Sequence, residues 1–283
     1  MFNTKPFLDY VTERQAIYLR RANGEPQPWT QDPVLASKKF CCVIRDDDWT
    51  SREARKLIMG VKNDAMELGL CLGFRLYNRP STLQALLHAQ SWSAESIRGT
   101  LESLEMVFNT NAYRVTVKGG LWNIPSIALL LARGIKQATQ GWNPRKEAQY
   151  TVQMIQGMLG VGPFLAYQIM QDLRWCGHRF ADENTWCLIG GGALRGLQRL
   201  DGTHNPDGQK RRDGRFEHNT ISDKEQGPLL KKYMPLMTEL LNQSREREPR
   251  VNMFEVEHNL CEFDKHQRTV LGETLGLAWK PRS

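Results

Sequence analysis

Apolar side chains recur at helical spacing along most of the chain, and the pattern predicts a run of amphipathic helices. Residues 1–23 place Phe7, Tyr10, Ile17 and Tyr18 on one side and leave Glu13, Arg14, Arg20 and Arg21 for a solvated face. Thr50 or Ser51 caps a helix over 52–73, and Ser81 or Thr82 caps another reaching Ala89. Further helices are expected over 94–108, 124–140 and 223–244. Residues 251–268 form the last, with Met253, Val256, Leu260 and Phe263 on one side and Glu257, His258, Glu262, Asp264 and Lys265 elsewhere. Val115–Gly120 is the one strand-like piece, so the expected class is mainly α with at most a short β hairpin. One domain over 1–283 is expected, with two lobes allowed: 1–115 plus the C-terminal helices, and 116–200.

The pattern is sharpest between Thr151 and Leu197. A helical run carrying Val152, Ile155, Met158 and Leu159 meets Gly160-Val161-Gly162-Pro163, and a second run follows through Trp175. Glycine lets the backbone approach a phosphate, and proline at a first helical position needs no amide hydrogen. Free amides at the second helix's start then make an anion site, the arrangement of a helix-hairpin-helix module, with Gly160, Val161 and Gly162 as DNA-binding residues. Gly190-Gly191-Gly192 precedes Arg195 and reads as a second backbone nest for an anion.

The totals narrow the partner. A net charge of +7 suits a polyanion. Residues 201–220 have almost no apolar content and offer Lys210, Arg211, Arg212 and Arg215 to phosphates. Six cysteines without CxxC spacing argue against zinc or an iron–sulfur cluster and for reduced thiols in a cytoplasm. Asp46-Asp47-Asp48 reads as a solvated turn and His258 with Glu262 as a buried polar pair, so no metal is assigned. No long apolar run or signal peptide is present, and no membrane association is expected.

Five stretches carry a resemblance to a known family: Pro28–Pro33 with Lys39-Phe40 and Arg45-Asp46; Phe74–Asn78; Gly160–Gln168 with Asp172-Leu173; Gly190–Leu197; and Val256–Lys265. Together they resemble the α-glutamyl/putrescinyl-thymine pyrophosphorylases of DNA-hypermodifying phages, distant relatives of helix-hairpin-helix DNA glycosylases. The family pattern has GPG where this chain has Gly190-Gly191-Gly192. The resemblance implies a glycosylase-like helical fold and a transfer reaction. A 5-hydroxymethyluracil in DNA, pyrophosphorylated beforehand by a DNA-base kinase, exchanges pyrophosphate for an amino acid or polyamine. The base leaves the stack, arginines or amide nests hold the leaving group, and a carboxylate or histidine takes the amine's proton.

Asp182 lies 22 residues after Gly160, about where the glycosylases carry an aspartate at the mouth of the base pocket. It is therefore the expected general base or cation stabiliser, with Asp172 second. Arg45, Arg75, Arg195 and Lys265, with Gly191 and Gly192, are the expected pyrophosphate and substrate contacts. No cofactor is required, although Mg²⁺ on pyrophosphate is compatible. Two other readings share the residues: a monofunctional glycosylase acting on a modified base, and a non-catalytic DNA-binding protein.

Overall fold

The computed structural model describes residues 2–61, 63–104, 124–142, 147–159, 161–204, 228–229, 231–243 and 251–273. Among these the regular structure is helical and no strand occurs, so the mainly α class holds. Val115–Gly120, the expected strand-like piece, lies outside the described residues. The chain divides into two compact units, one built from Met1–Asp47 and Glu183–Ser283 and the other from Asp48–Asp182.

The Asp48–Asp182 unit holds α3 (Trp49–Ile58), α4 (Asp64–Tyr77), α5 (Pro80–Leu87), α6 (Ala94–Glu102), α7 (Ile124–Gly141), α8 (Ala148–Leu159) and α9 (Pro163–Leu173). Two helices stand where the periodicity over 52–73 suggested one. Asn63 opens α4 by accepting the Met66 amide at 2.9 Å, so the apolar pattern restarts there with a new phase. Asn78 closes α4 in the left-handed region at φ 48°, and Arg79 then takes the N-cap position of α5. Helix α4 is buried around its whole circumference and packs against α3, α5, α7 and α9. Helices α8 and α9 pack side by side across the short 160–162 connection, with Gly162 at the N-cap of α9 and Pro163 at its first position, as the glycine turn demands.

The other unit holds α1 (Lys5–Ala22), α2 (Pro33–Ser37), α10 (Gly191–Asp201), α11 (Met234–Gln243) and α12 (Met253–Val270). Its hub is α12, which contacts each of the other four. Asn252 starts α12 with a reciprocal capping box to Glu255. Phe263 meets Phe7 of α1 edge-on at 5.7 Å, and Leu260 and Val256 are fully buried. Each such side chain contributes about 1.5–3 kcal/mol. Helix α10 lies close against α12: a Cβ on Gly196 would sit 2.5 Å from the Leu260 carbonyl oxygen, and one on Gly192 would collide with Cys261. Arg14, expected in solvent, is 6% exposed instead; its guanidinium donates to the Phe40 carbonyl at 3.1 Å and fastens α1 to the 38–44 segment.

Candidate functional site

Each unit contains a buried charged cluster, and they differ in how the charge is matched. In the Asp48–Asp182 unit, Arg75 of α4 and Asp172 of α9 form a two-pronged ion pair, with Nε and Nη2 of the guanidinium donating to the two carboxylate oxygens. Both side chains are essentially inaccessible, at 2% and 1% exposure. The guanidinium also lies over the Phe74 ring at 4.9 Å. Gln168 and Gln171, on the same helix as Asp172, are buried as well. This pair locks α4 to α9, and α9 is the helix that the glycine turn starts.

In the other unit the cluster runs along α12, where Glu257, Cys261 and Asp264 follow one another at i, i+4 and i+7 on the side facing α10. Glu257 is 5% exposed, and its Oε1 accepts the Gly190 amide at 3.3 Å, where α10 begins. Burial pushes its carboxyl up to about 7, against the opposing pull of that amide and of Arg45. The carboxyl therefore changes charge near neutrality, where a proton acceptor is useful. Burial also raises the thiols of Cys187 and Cys261, and the Glu257 charge adds to both.

One turn further on, Asp264 bridges two arginines of α10, accepting from Arg195 Nε at 2.7 Å and Arg199 Nε at 2.8 Å. Arg199 also binds Glu273 at 2.5 and 3.0 Å. Burial holds Arg268 below its ordinary range; Asp264 opposes that shift and Arg195 adds to it. His204 is likewise held below its usual range by burial and by Arg199. Arg195, Arg199 and Arg268 thus gather about Asp264 and Glu273, cations of the kind that bind an anion.

On the far side of α12, Glu262 accepts the Cys41 amide at 3.1 Å, while Lys265 donates to the Lys39 carbonyl at 2.7 Å and lies over Phe40 at 4.6 Å. Asn259 donates to the Val43 carbonyl at 2.8 Å. These contacts hold the 39–45 segment along α12 and deliver Arg45, 9% exposed, within electrostatic reach of Glu257.

The expected site residues therefore separate. Arg75 and Asp172, expected in different roles, are each other's partner. Arg45, Arg195, Gly191 and Gly192 come together around α10 and α12, and Lys265 sits one helix face away. Asp182 belongs to the Asp48–Asp182 unit. Its carboxylate accepts the Ala148 amide at 2.6 Å and the Gln149 amide at 3.3 Å, capping the start of α8. Val161 and Gly162 lie at the other end of that helix, so the acid and the glycine turn are separated by about 18 Å, the length of its 12 residues. The 22-residue offset thus places the acid at one end of α8 and the turn at the other. Gly160, Lys210, Arg211, Arg212 and Arg215 lie outside the described residues. Glu257 was missed: the helical pattern put it off the apolar side of α12, although it belongs to a resembling stretch.

The family described as "5-hmdU DNA kinase, helical domain" matches residues 2–276. The 5-hmdU DNA kinase of Bacillus phage SP10 is 26% identical over 220 residues, covering 66% of this chain and 34% of that protein. This chain thus spans about a third of the length of that relative. No solved structure matches.

Proposed function

The chain belongs to the 5-hmdU DNA kinase helical-domain family, and from that premise we propose that it acts on 5-hydroxymethyluracil in DNA as an amine transferase. The substrate is the pyrophosphorylated base that a kinase step supplies. The nitrogen lone pair of an amino acid or polyamine attacks the base's methylene carbon, the carbon–oxygen bond to pyrophosphate breaks, and the amine's proton passes to a carboxylate. One observation carries this reading: Glu257 is a buried carboxyl that titrates near 7 beside the glycine-rich start of α10. Such a group accepts a proton at neutral pH and holds it in a dry site.

The neighbouring groups suit the leaving group. Arg195, Arg199 and Arg268 supply delocalised cations, and Arg45 adds another beside Glu257. Charge developing on pyrophosphate is stabilised there more than in water, which is where the rate enhancement arises. The helix pair α8–α9 with Val161 and Gly162 serves as the contact to the DNA backbone, and Arg75–Asp172 holds α9 in position for it. Asp182 keeps α8 capped in this scheme and the base role passes to Glu257.

The test offers DNA containing the pyrophosphorylated base to the protein with a panel of amines, digests the product to nucleosides, and reads their masses. A nucleoside heavier by one amine and lighter by pyrophosphate is expected, and its loss in Glu257→Gln assigns the base. Free modified base in the supernatant would instead make the protein a glycosylase. A second reading is favoured by the length comparison. The chain covers 34% of the phage kinase and contains no G-x-x-x-x-G-K-[ST] phosphate loop. It would then be the base-reading part of a kinase whose phosphoryl chemistry lies elsewhere. Transfer of γ-phosphate from ATP to 5-hydroxymethyluracil DNA by this chain alone would decide for a kinase.

A further inference from the structure

Helix α3 carries an exposed face that neither the core nor the reaction uses. Ser51, Ala54 and Ile58 are its buried residues. At one hundred degrees per residue, Trp49, Arg52, Lys56 and Met59 fall together on the opposite side, with Arg55 at its edge. Trp49 is 62% exposed and Met59 54% exposed, and the three cations are exposed as well. An indole left in water forgoes the burial that aromatic side chains ordinarily obtain, so an exposed one rimmed by cations points to a partner. The acid within the helix, Glu53, pairs with Lys56 at 2.7 Å, but the lysine side chain is 70% exposed. A surface pair of that kind exchanges readily for another anion. Helix α3 also packs against the turn Arg174–Cys176, which leads to the exposed Arg179.

We propose that the Trp49–Arg52–Lys56 face of α3 is a nucleic-acid contact, in which the cations track the phosphates and Trp49 stacks on an unpaired or splayed base. The choice of DNA as the partner rests on the function proposed above; the choice of surface rests on α3 itself. Cations at helical spacing follow one flat ring, so successive phosphates and a single base of one strand can be met together. No base-specific group is offered, so this contact tightens binding without reading sequence.

The experiment measures anisotropy of a labelled duplex containing 5-hydroxymethyluracil, titrated with the full chain across a range of salt. Arg52→Glu with Lys56→Glu should weaken binding at least about tenfold near 0.1 M salt and lower the log–log salt slope by about 2, one per lost phosphate contact. Trp49→Ala should weaken binding roughly fivefold to a hundredfold while leaving that slope in place. All three residues are exposed, and circular dichroism melting of each variant checks that the fold survives. Binding by both variants equal to wild type overturns the α3 contact even if amine transfer proceeds. Conversely, α3-dependent DNA binding without any base modification supports the contact and sinks the transferase. Wild-type binding to phosphatidylserine vesicles but not to the duplex overturns the proposal in favour of a membrane.

Discussion

The two buried clusters use similar residue types to opposite ends. Arg75 and Asp172 neutralise each other through two charge-assisted hydrogen bonds and are sealed from solvent. Glu257 is equally buried, yet its described hydrogen bond comes from one backbone amide, and its nearest cationic influence is Arg45 acting through space. A matched pair joined by two hydrogen bonds between helices serves architecture. A carboxyl left without a cation at hydrogen-bonding range keeps both states within reach near pH 7, which is what proton transfer requires. The contrast separates two helix-borne acids by their partners, which the sequence does not show.

The largest expected effect tests the structural half of that contrast. Asp172→Ala leaves a guanidinium buried without its counter-charge and should cost about 3–5 kcal/mol in a denaturant titration. Joint replacement of Arg75 and Asp172 by Met and Leu should recover most of that loss. If Asp172→Ala melts like wild type, the pair is not holding α4 to α9.

Next comes Glu257, whose signature is a pH dependence. Its folded value, about 7, lies above the ordinary 4.5, so the folded state keeps the proton after the unfolded state has released it. Stability therefore falls as pH rises from about 4.5 to about 7 and stays lower above that, by on the order of 3 kcal/mol. Glu257→Gln removes this slope, so the variant should gain stability at pH 8 relative to wild type and nothing at pH 4. Its turnover should drop by roughly 10²–10⁴, the usual share of a general base. A variant that keeps the slope would place the titrating group elsewhere.

The seam between α10 and α12 offers an intermediate test. In Gly196→Ala the new Cβ meets the Leu260 carbonyl, which is backbone and yields only if the helices part. The expected cost is about 1–3 kcal/mol. Parting them also draws Gly190 away from Glu257, so the pH profile should change along with the stability. Gly99→Ala, where a Cβ meets nothing within 4 Å, is the control and should be neutral or slightly stabilising.

These tests fall on features of unequal visibility in the sequence. The helical class followed from periodicity, and the start of α9 followed from Gly162-Pro163, because caps and prolines act locally. The role of α12 was hidden for a physical reason. Amphipathic reading assumes one wet side, but α12 is enclosed by α1, α2, α10 and α11, so Glu255, Glu257, Asn259 and Asp264 are buried along with Phe254 and Leu260. Gly190-Gly191-Gly192 was read as an anion nest, yet the missing side chain of Gly192, like that of Gly196, is also what lets α10 lie against α12. The seams between the two units lie within the acidic pairs Asp47-Asp48 and Asp182-Glu183, where no Gly, Pro or Ser run marks a boundary.

The smallest expected effect concerns Asp182, and it discriminates most finely between the two kinds of acid. Its carboxylate spans the Ala148 and Gln149 amides, which would otherwise be orphan donors at the start of α8. Asp182→Asn retains one acceptor and should cost a fraction of what Asp182→Ala does, the latter losing about 1 kcal/mol as caps usually do. The proposed reaction gives Asp182 no part in proton transfer, so base modification should continue at the wild-type rate once the melting shift is allowed for. Single-turnover kinetics on pyrophosphorylated DNA would read this directly. A fall of several orders of magnitude in Asp182→Asn, with melting unchanged, would make the cap itself the proton acceptor. Glu257 would then join Arg75 and Asp172 among the groups that only hold the fold.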